Sequence, residues 1–286
     1  MSKFLEDLKK FLDTQPFGFT SISEVYDNGE PETITDIPAN PCQNVYSVAK
    51  FFTMTAIGIL YDRGIVKPED KLLDIIGKEI DYDIPDKRWY DVTVDMLLTH
   101  REGLPVGFLD IDCNPYNSFG NDFLKFTLQT ELVFNPGEDC KYSDGAFYLL
   151  SRIVSALTGQ KLDYFLRKEY FEAIGISEAA FSCCPDGYPM GATGLYIASE
   201  DVAKAGVPYL NGGLYKGKRL LSEEWVKMAV EREYTLEWDD SKTILYKGGM
   251  CGQKVILCPG KNRCVSMESY GGNTAVVVDW IAKYNG

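Results

Sequence analysis

Residues 47–60 read Ser47-Val48-Ala49-Lys50-Phe51-Phe52-Thr53-Met54-Thr55-Ala56-Ile57-Gly58-Ile59-Leu60. Nearly every position is apolar or small, so the stretch predicts a helix buried on all sides rather than along one stripe. Its apolar run, Phe51 to Leu60, is too short to cross a bilayer, which takes about 20 residues. One charge interrupts the pattern. Lys50 lies among Val48, Ala49, Phe51 and Phe52, which leave little room for a polar face. Positions three apart share a helix face, so Lys50 can meet Ser47. Desolvation weakens a lysine's preference for its charged form and lets it act as a base. A serine hydroxyl needs such a neighbour to become a nucleophile. The start of a helix also offers backbone N–H groups and a positive dipole end to a developing oxyanion. The plain alternative is a capping serine followed by a solvated lysine.

Outward from this helix, the pattern changes character toward both ends of the chain. Residues 3–13 place Phe4, Leu5, Leu8, Phe11 and Leu12 on one helical face. Residues 17–26 and 32–36 read as strands around an Asp27-Asn28-Gly29 turn. Helical patterns fill the middle at 93–98, 145–158, 161–173, 200–210 and 222–231, with Gly159 as a stop. Strands return at Thr243–Tyr246, Lys254–Leu257 and Arg263–Glu268, with Pro259-Gly260-Lys261-Asn262 as the last turn. Residues 274–284 read as a closing helix, with Val276-Val277-Val278 as an alternative strand extension. The expected fold is α+β: an antiparallel sheet made by the N- and C-terminal segments, flanked by helices, with a mostly helical insertion. The expected division is a sheet domain of residues 1–46 and 200–286 and a helical domain of residues 47–199.

The formal net charge is −13 with 29 Lys+Arg against 42 Asp+Glu. An acidic chain without a basic stripe repels phosphate, so nucleic acid is not an expected partner. The chain has one His and eight Cys, none in a C-x-x-C pair. That composition argues against a zinc centre, and no metal or other cofactor is expected. The thiols are read as buried and reduced. Glu6 and Asp7 in the amphipathic N-terminal stretch are unlike a signal peptide. No membrane association is expected, and the expected location is cytoplasmic.

Two further segments carry polar residues in unusual settings. Tyr142-Ser143-Asp144 precedes an apolar helix. Tyr142 is either a half-buried structural tyrosine or a phenol close to Ser47 whose proton affinity is lowered by Lys50. Lys247-Gly248-Gly249-Met250-Cys251-Gly252-Gln253 is read onto the first C-terminal strand. Its glycines suggest either a close ligand approach or a bulge. His100, the single imidazole, ends a helix and is read as structural rather than as a triad base.

In this order the segments resemble the serine β-lactamase and penicillin-binding-protein superfamily, in its class C-like branch of β-lactamase-related serine hydrolases. Ser47-Val48-Ala49-Lys50 matches the family's Ser-x-x-Lys. Met96-Leu97-Leu98-Thr99-His100-Arg101-Glu102-Gly103-Leu104-Pro105 is similar to its Leu-Leu-x-His-x-Ser-Gly-Leu-Pro segment. Pro136-Gly137-Glu138 followed by Tyr142-Ser143-Asp144 is similar to its Pro-Gly-x and Tyr-x-Asn. Gly252-Gln253 resembles the 6-aminohexanoate-dimer hydrolase branch. Two departures stand out: Asp144 for the usual Asn, and Lys247-Gly248-Gly249 for Lys-Thr-Gly. An ionised Asp only accepts hydrogen bonds, so its partners must change, and it can hold Lys50 charged.

The resemblance implies a serine hydrolase that forms an acyl-enzyme on small esters, amides or β-lactam-like substrates. Ser47 is the expected nucleophile, with Lys50 and Tyr142 moving its proton. Asp144, Lys247, Gly249 and Met250 are the expected substrate and oxyanion residues, the N–H groups of Ser47 and Met250 facing the oxyanion. Which of Lys50 and Tyr142 is the principal base stays open. A catalytically weak binding protein on the same fold, a true β-lactamase or D-Ala-D-Ala peptidase, and a thiol chemistry at Cys251 are the alternatives. The missing threonine at Gly248 and the net charge predict that neutral short esters outrank anionic β-lactams.

Overall fold

Along Arg263–Ser269 every residue is buried, which requires a cover on both faces of the strand. A computed structural model, describing residues 1–271 and 274–285, supplies those covers within one of two compact units. This sheet unit comprises Met1–Val48, Glu172–Ala179 and Leu195–Gly286. Its main strands are β1 (Phe19–Tyr26), β2 (Glu32–Thr35), β3 (Cys42–Asn44), β4 (Leu195–Ala198), β5 (Glu237–Trp238), β6 (Leu245–Gly248), β7 (Lys254–Cys258) and β8 (Arg263–Ser269). Six of them form one sheet in the order β2-β1-β8-β7-β6-β5. The central pair, β1 and β8, is antiparallel, with Ile22 opposite Met267 and Val25 opposite Cys264. The two ends of the chain thus complete one antiparallel sheet, as the pattern of the sequence predicts.

Val265 and Met267 join one core with Phe4, Leu5, Leu8 and Leu12 of the helix Lys3–Leu12 and with Val277, Val278 and Ile281 of the helix Ala275–Lys283. Ser2 caps the first of these helices by accepting the Leu5 N–H at 3.2 Å. Burying each such side chain is worth about 1.5–3 kcal/mol. On β8 the alternate positions, Cys264 and Ser266, meet the helix Ser199–Leu210. That helix comes so close that a Cβ on Gly206 would stand 2.3 Å from the Cys264 sulfur.

The helical unit comprises Ala49–Phe171 and Ala180–Gly194. Its central helix, Ala49–Asp62, is buried from Ala49 through Leu60, as an all-apolar run requires. Beside it lies Asp144–Thr158, capped by Ser143, which accepts the Ala146 N–H, and ended by Gly159 in the left-handed conformation at φ 69°.

Two elements differ from expectation. The helix expected over 161–173 is α-helical at Leu162–Leu166, widens to a π-turn at Arg167–Phe171 and resumes at Glu172–Ile174. Apolar spacing alone does not separate i+4 from i+5 bonding. The strand expected at Thr243–Tyr246 begins instead at Leu245. The Asp239 carboxylate accepts the N–H groups of Ser241, Thr243 and Ile244, which holds the backbone in a turn. Among the described residues, no helix is long and apolar enough to cross a membrane.

Candidate active site

In the sheet unit, Ser47 occupies a 3-10 turn, Tyr46–Val48. β3 pairs antiparallel with β4, and the Val45 N–H donates to the Leu195 carbonyl at 2.9 Å. The chain then bends sharply. Tyr46 has a left-handed φ of 47°, its N–H bonded to the Asn44 Oδ1 at 2.9 Å. Such a backbone costs a non-glycine residue roughly 1–2 kcal/mol. The turn runs directly into the helix Ala49–Asp62, so Ser47 stands at a helix start.

The third motif does not lie wholly on a strand, which corrects the reading of 247–253. β6 ends at Gly248, and Met250–Gly252 forms a 3-10 turn. The reason is visible at Gly249. A Cβ there would be 2.4 Å from the Val45 carbonyl oxygen and 3.3 Å from the Ser47 nitrogen. Glycine lets the turn approach the backbone of the Ser47 segment, so the close neighbour is the protein's own chain rather than a ligand. Gln253 pins the turn: it donates to the Ser269 carbonyl at 3.1 Å and accepts the Ser269 N–H at 3.2 Å. Met250 is 42% exposed. Lys247 is buried and faces Glu237 at 3.8 Å.

Sequence reading missed Lys254. It pairs directly across from Gly248, and its Nζ lies 3.4 Å from where a Gly248 side chain would begin. Burial and the Lys247 charge push its pKa down. A lysine side chain therefore flanks the position where the threonine is missing. Only the strand register reveals this, because the two residues are six apart and joined by an irregular turn.

In the helical unit, Lys50 and Asp144 meet in a buried ion pair at 2.6 Å. Lys50 is fully buried, also donates to the Ala192 carbonyl at 3.0 Å, and lies 4.6 Å from the centre of the Tyr142 ring. Burial pulls the ammonium's pKa down, but the Asp144 carboxylate and Tyr142 raise it further, and the result lies above the ordinary lysine value. Lys50 is thus held as a cation. Tyr142 is 39% exposed.

A second network supports this motif. The helix Val94–Leu98 ends with the Arg101 N–H bonded to the Met96 carbonyl at 2.7 Å and the His100 N–H to the Leu97 carbonyl at 3.3 Å. These two bonds make a Schellman cap with His100, φ 56°, in the usual glycine place. The imidazole packs on Tyr142 at 4.5 Å between ring centres, and its Nδ1 accepts the Ser143 N–H at 3.4 Å. Glu102, fully buried, accepts the Ser143 hydroxyl at 2.6 Å. Glu102 was legible as a departure, since it stands where the family segment has Ser.

Burial pushes the Glu102 carboxyl up to about 8, and the Ser143 bond pulls it back only in part. Its folded value thus lies above the ordinary 4.5. The stability it contributes is complete below the ordinary value and is lost as pH rises through about 8. Glu102→Gln keeps an acceptor for Ser143 without the titration. Its denaturant midpoint should fall less than the wild type's between about pH 5 and about pH 8. An unchanged fall would contradict the assignment.

Carboxylate oxygens of Asp110, Asp112 and Asp144 lie within 4.8 Å of one another. Lys50 already occupies the Asp144 carboxylate, and Thr193 donates to Asp112 at 2.5 Å. An added cation would have to compete with the Lys50 ammonium.

The chain is 26% identical over 147 residues to penicillin-binding protein 4* of Bacillus subtilis, a match covering 50% of this chain and 31% of that protein. The chain spans about a third of the length of the curated relatives it matches. A Bacillus anthracis protein provisionally assigned as a 6-aminohexanoate-dimer hydrolase superposes with a TM-score of 0.79 at 16% identity, over 96% of this chain and 80% of that one. The penicillin-binding protein of Bacillus halodurans gives a TM-score of 0.74 at 18% identity, over 98% and 99%. At such identities these likenesses establish the fold alone, an antiparallel sheet with flanking helices. The family itself rests on the match of residues 25–278 to the Beta-lactamase family model, and to that family the chain belongs.

Proposed function

We propose that this chain is a serine hydrolase that acts through an acyl-enzyme on small esters or amides, with β-lactam-like compounds as poorer substrates. Ser47 attacks the substrate carbonyl. Tyr142 takes the hydroxyl proton and returns it to the leaving group, and water then releases the acid. Lys50 stays charged and acts as the counter-charge beside Tyr142 rather than as the base. The N–H groups of Ser47 and Met250 stabilise the oxyanion, at a few kcal/mol for a well-placed donor. The observation that carries this reading is the fully buried Lys50, paired with Asp144 at 2.6 Å and lying against the Tyr142 ring, one turn after a serine at a helix start.

Tyr142→Phe removes the hydroxyl and keeps the ring. It should lower kcat by about a hundredfold or more, with KM little changed. An unchanged kcat would leave Lys50 to carry the proton alone.

Substrate choice turns on the third motif. Gly248 offers no hydroxyl to a substrate carboxylate, and the net charge of −13 repels anions. Lys254 opposes this in part. A p-nitrophenyl ester should therefore exceed nitrocefin in kcat/KM, and Lys254→Met should widen the gap. Nitrocefin ahead by about tenfold, roughly 1.4 kcal/mol in barrier, would overturn the esterase reading in favour of a β-lactamase proper.

A further inference from the structure

The sheet unit contains an open pocket of about 190 Å³ beside the edge strand β2, lined also by the loop that leads to β3 and by the start of the helix Ser199–Leu210. Its sheet-side lining is polar: Ser21 and Ser23 of β1, Thr33 and Thr35 of β2, and Glu268 of β8. Ile37, Pro41 and Ala198 provide apolar wall. The volume corresponds to about six waters at roughly 30 Å³ each.

Glu268 is 1% exposed. One carboxylate oxygen accepts the Ser21 hydroxyl at 2.7 Å. The other, Oε1, is buried and has no hydrogen-bond partner among the described residues. The same holds for Oγ1 of Thr20, which sits at a bulge between Phe19 and Ser21 and also lines the cavity. Buried polar atoms are almost always satisfied, and each exception calls for an explanation. The cavity lining has no Lys, Arg or His, and its ionisable groups are Glu268 and the exposed Glu200. The only ionisable groups facing the space are carboxyls, so a cationic donor is the partner that would favour the ionised form of Glu268. A bare metal ion would leave most of the volume and the apolar wall unused.

We propose that this cavity binds a small primary alkylammonium ion, with Glu268 as its counter-charge and the apolar wall against its alkyl stem. Burial pushes the Glu268 carboxyl up to about 8, so it carries its proton at neutral pH. Binding of the ammonium ion should then release that proton to solvent. The proposal is independent of the chemistry at Ser47.

Titration calorimetry with n-butylammonium chloride at neutral pH, in phosphate and in MOPS, tests it. One ion should bind with a Kd of about 1 mM. The two buffers should differ in heat by about one released proton per ion bound. Glu268→Gln should weaken binding by about tenfold or more and abolish the proton release. Ala198→Leu, which fills the cavity and leaves Glu268 in place, should do the same to affinity and carries the test if Glu268→Gln fails to fold. Ser47→Ala should bind like the wild type, so a failure of the hydrolase reading would leave this result untouched. The absence of saturable binding, equal binding of the neutral isostere n-butanol, or full affinity in both cavity variants would each overturn the proposal.

Discussion

Ser47→Ala is expected to lose hydrolysis of p-nitrophenyl acetate by more than roughly a hundredfold while keeping the wild-type fold. The size follows from chemistry: the variant has no atom that can form the acyl bond, so only the background supplied by binding and oxyanion donors remains. The retained fold follows from position. The turn Tyr46–Val48 is held by backbone bonds of Val45 to Leu195 and of Val48 to Val45, and by the Asn44 side chain on the Tyr46 N–H, none of which needs the Ser47 hydroxyl. Steady-state kinetics together with a thermal melt checks both halves. A folded variant with full turnover would remove Ser47 from the mechanism.

Lys50→Met should be costly in two ways. Asp144 is only 6% exposed, and loss of its partner leaves a buried charge without compensation. Breaking a buried pair in this way costs about 3–5 kcal/mol. Activity should also fall by about a hundredfold or more, because the cation beside Tyr142 is gone. The double variant Lys50→Met/Asp144→Leu separates the two effects. Replacing both members by apolar groups should restore most of the stability, since desolvation of both charges is avoided, but none of the activity. A single variant as stable as the wild type would contradict the buried ion pair.

How much of this was legible in the sequence depended on the range of the interactions. The helices Lys3–Leu12, Ala49–Asp62 and Asp144–Thr158 follow from local spacing and stop signals, because their packing faces repeat within a few residues. The pairing of β1 with β8 was inferable only as strands at both ends; its register, Ile22 against Met267, is a property of the folded sheet. The short strands β3 and β4 have three and four residues, too few for alternation to register. Near the candidate residues the same rule applies. The Ser47 and Lys50 spacing is local and was readable. The Lys50 charge state was not readable from local spacing; only the resemblance set Asp144, 94 positions away, beside it. Gly249 was noticed for its type, yet its cause is a backbone oxygen of Val45 brought near by the fold. Lys254 beside Gly248 and Glu102 beside Ser143 likewise depend on tertiary placement.

The most direct test of the central claim is covalent. Intact-protein and peptide mass spectrometry after incubation with a fluorophosphonate should find one adduct, on the peptide that carries Ser47, and Ser47→Ala should carry none. An unlabelled wild-type protein, or a fluorophosphonate adduct that persists undiminished in Ser47→Ala, would contradict a serine acyl-transfer mechanism.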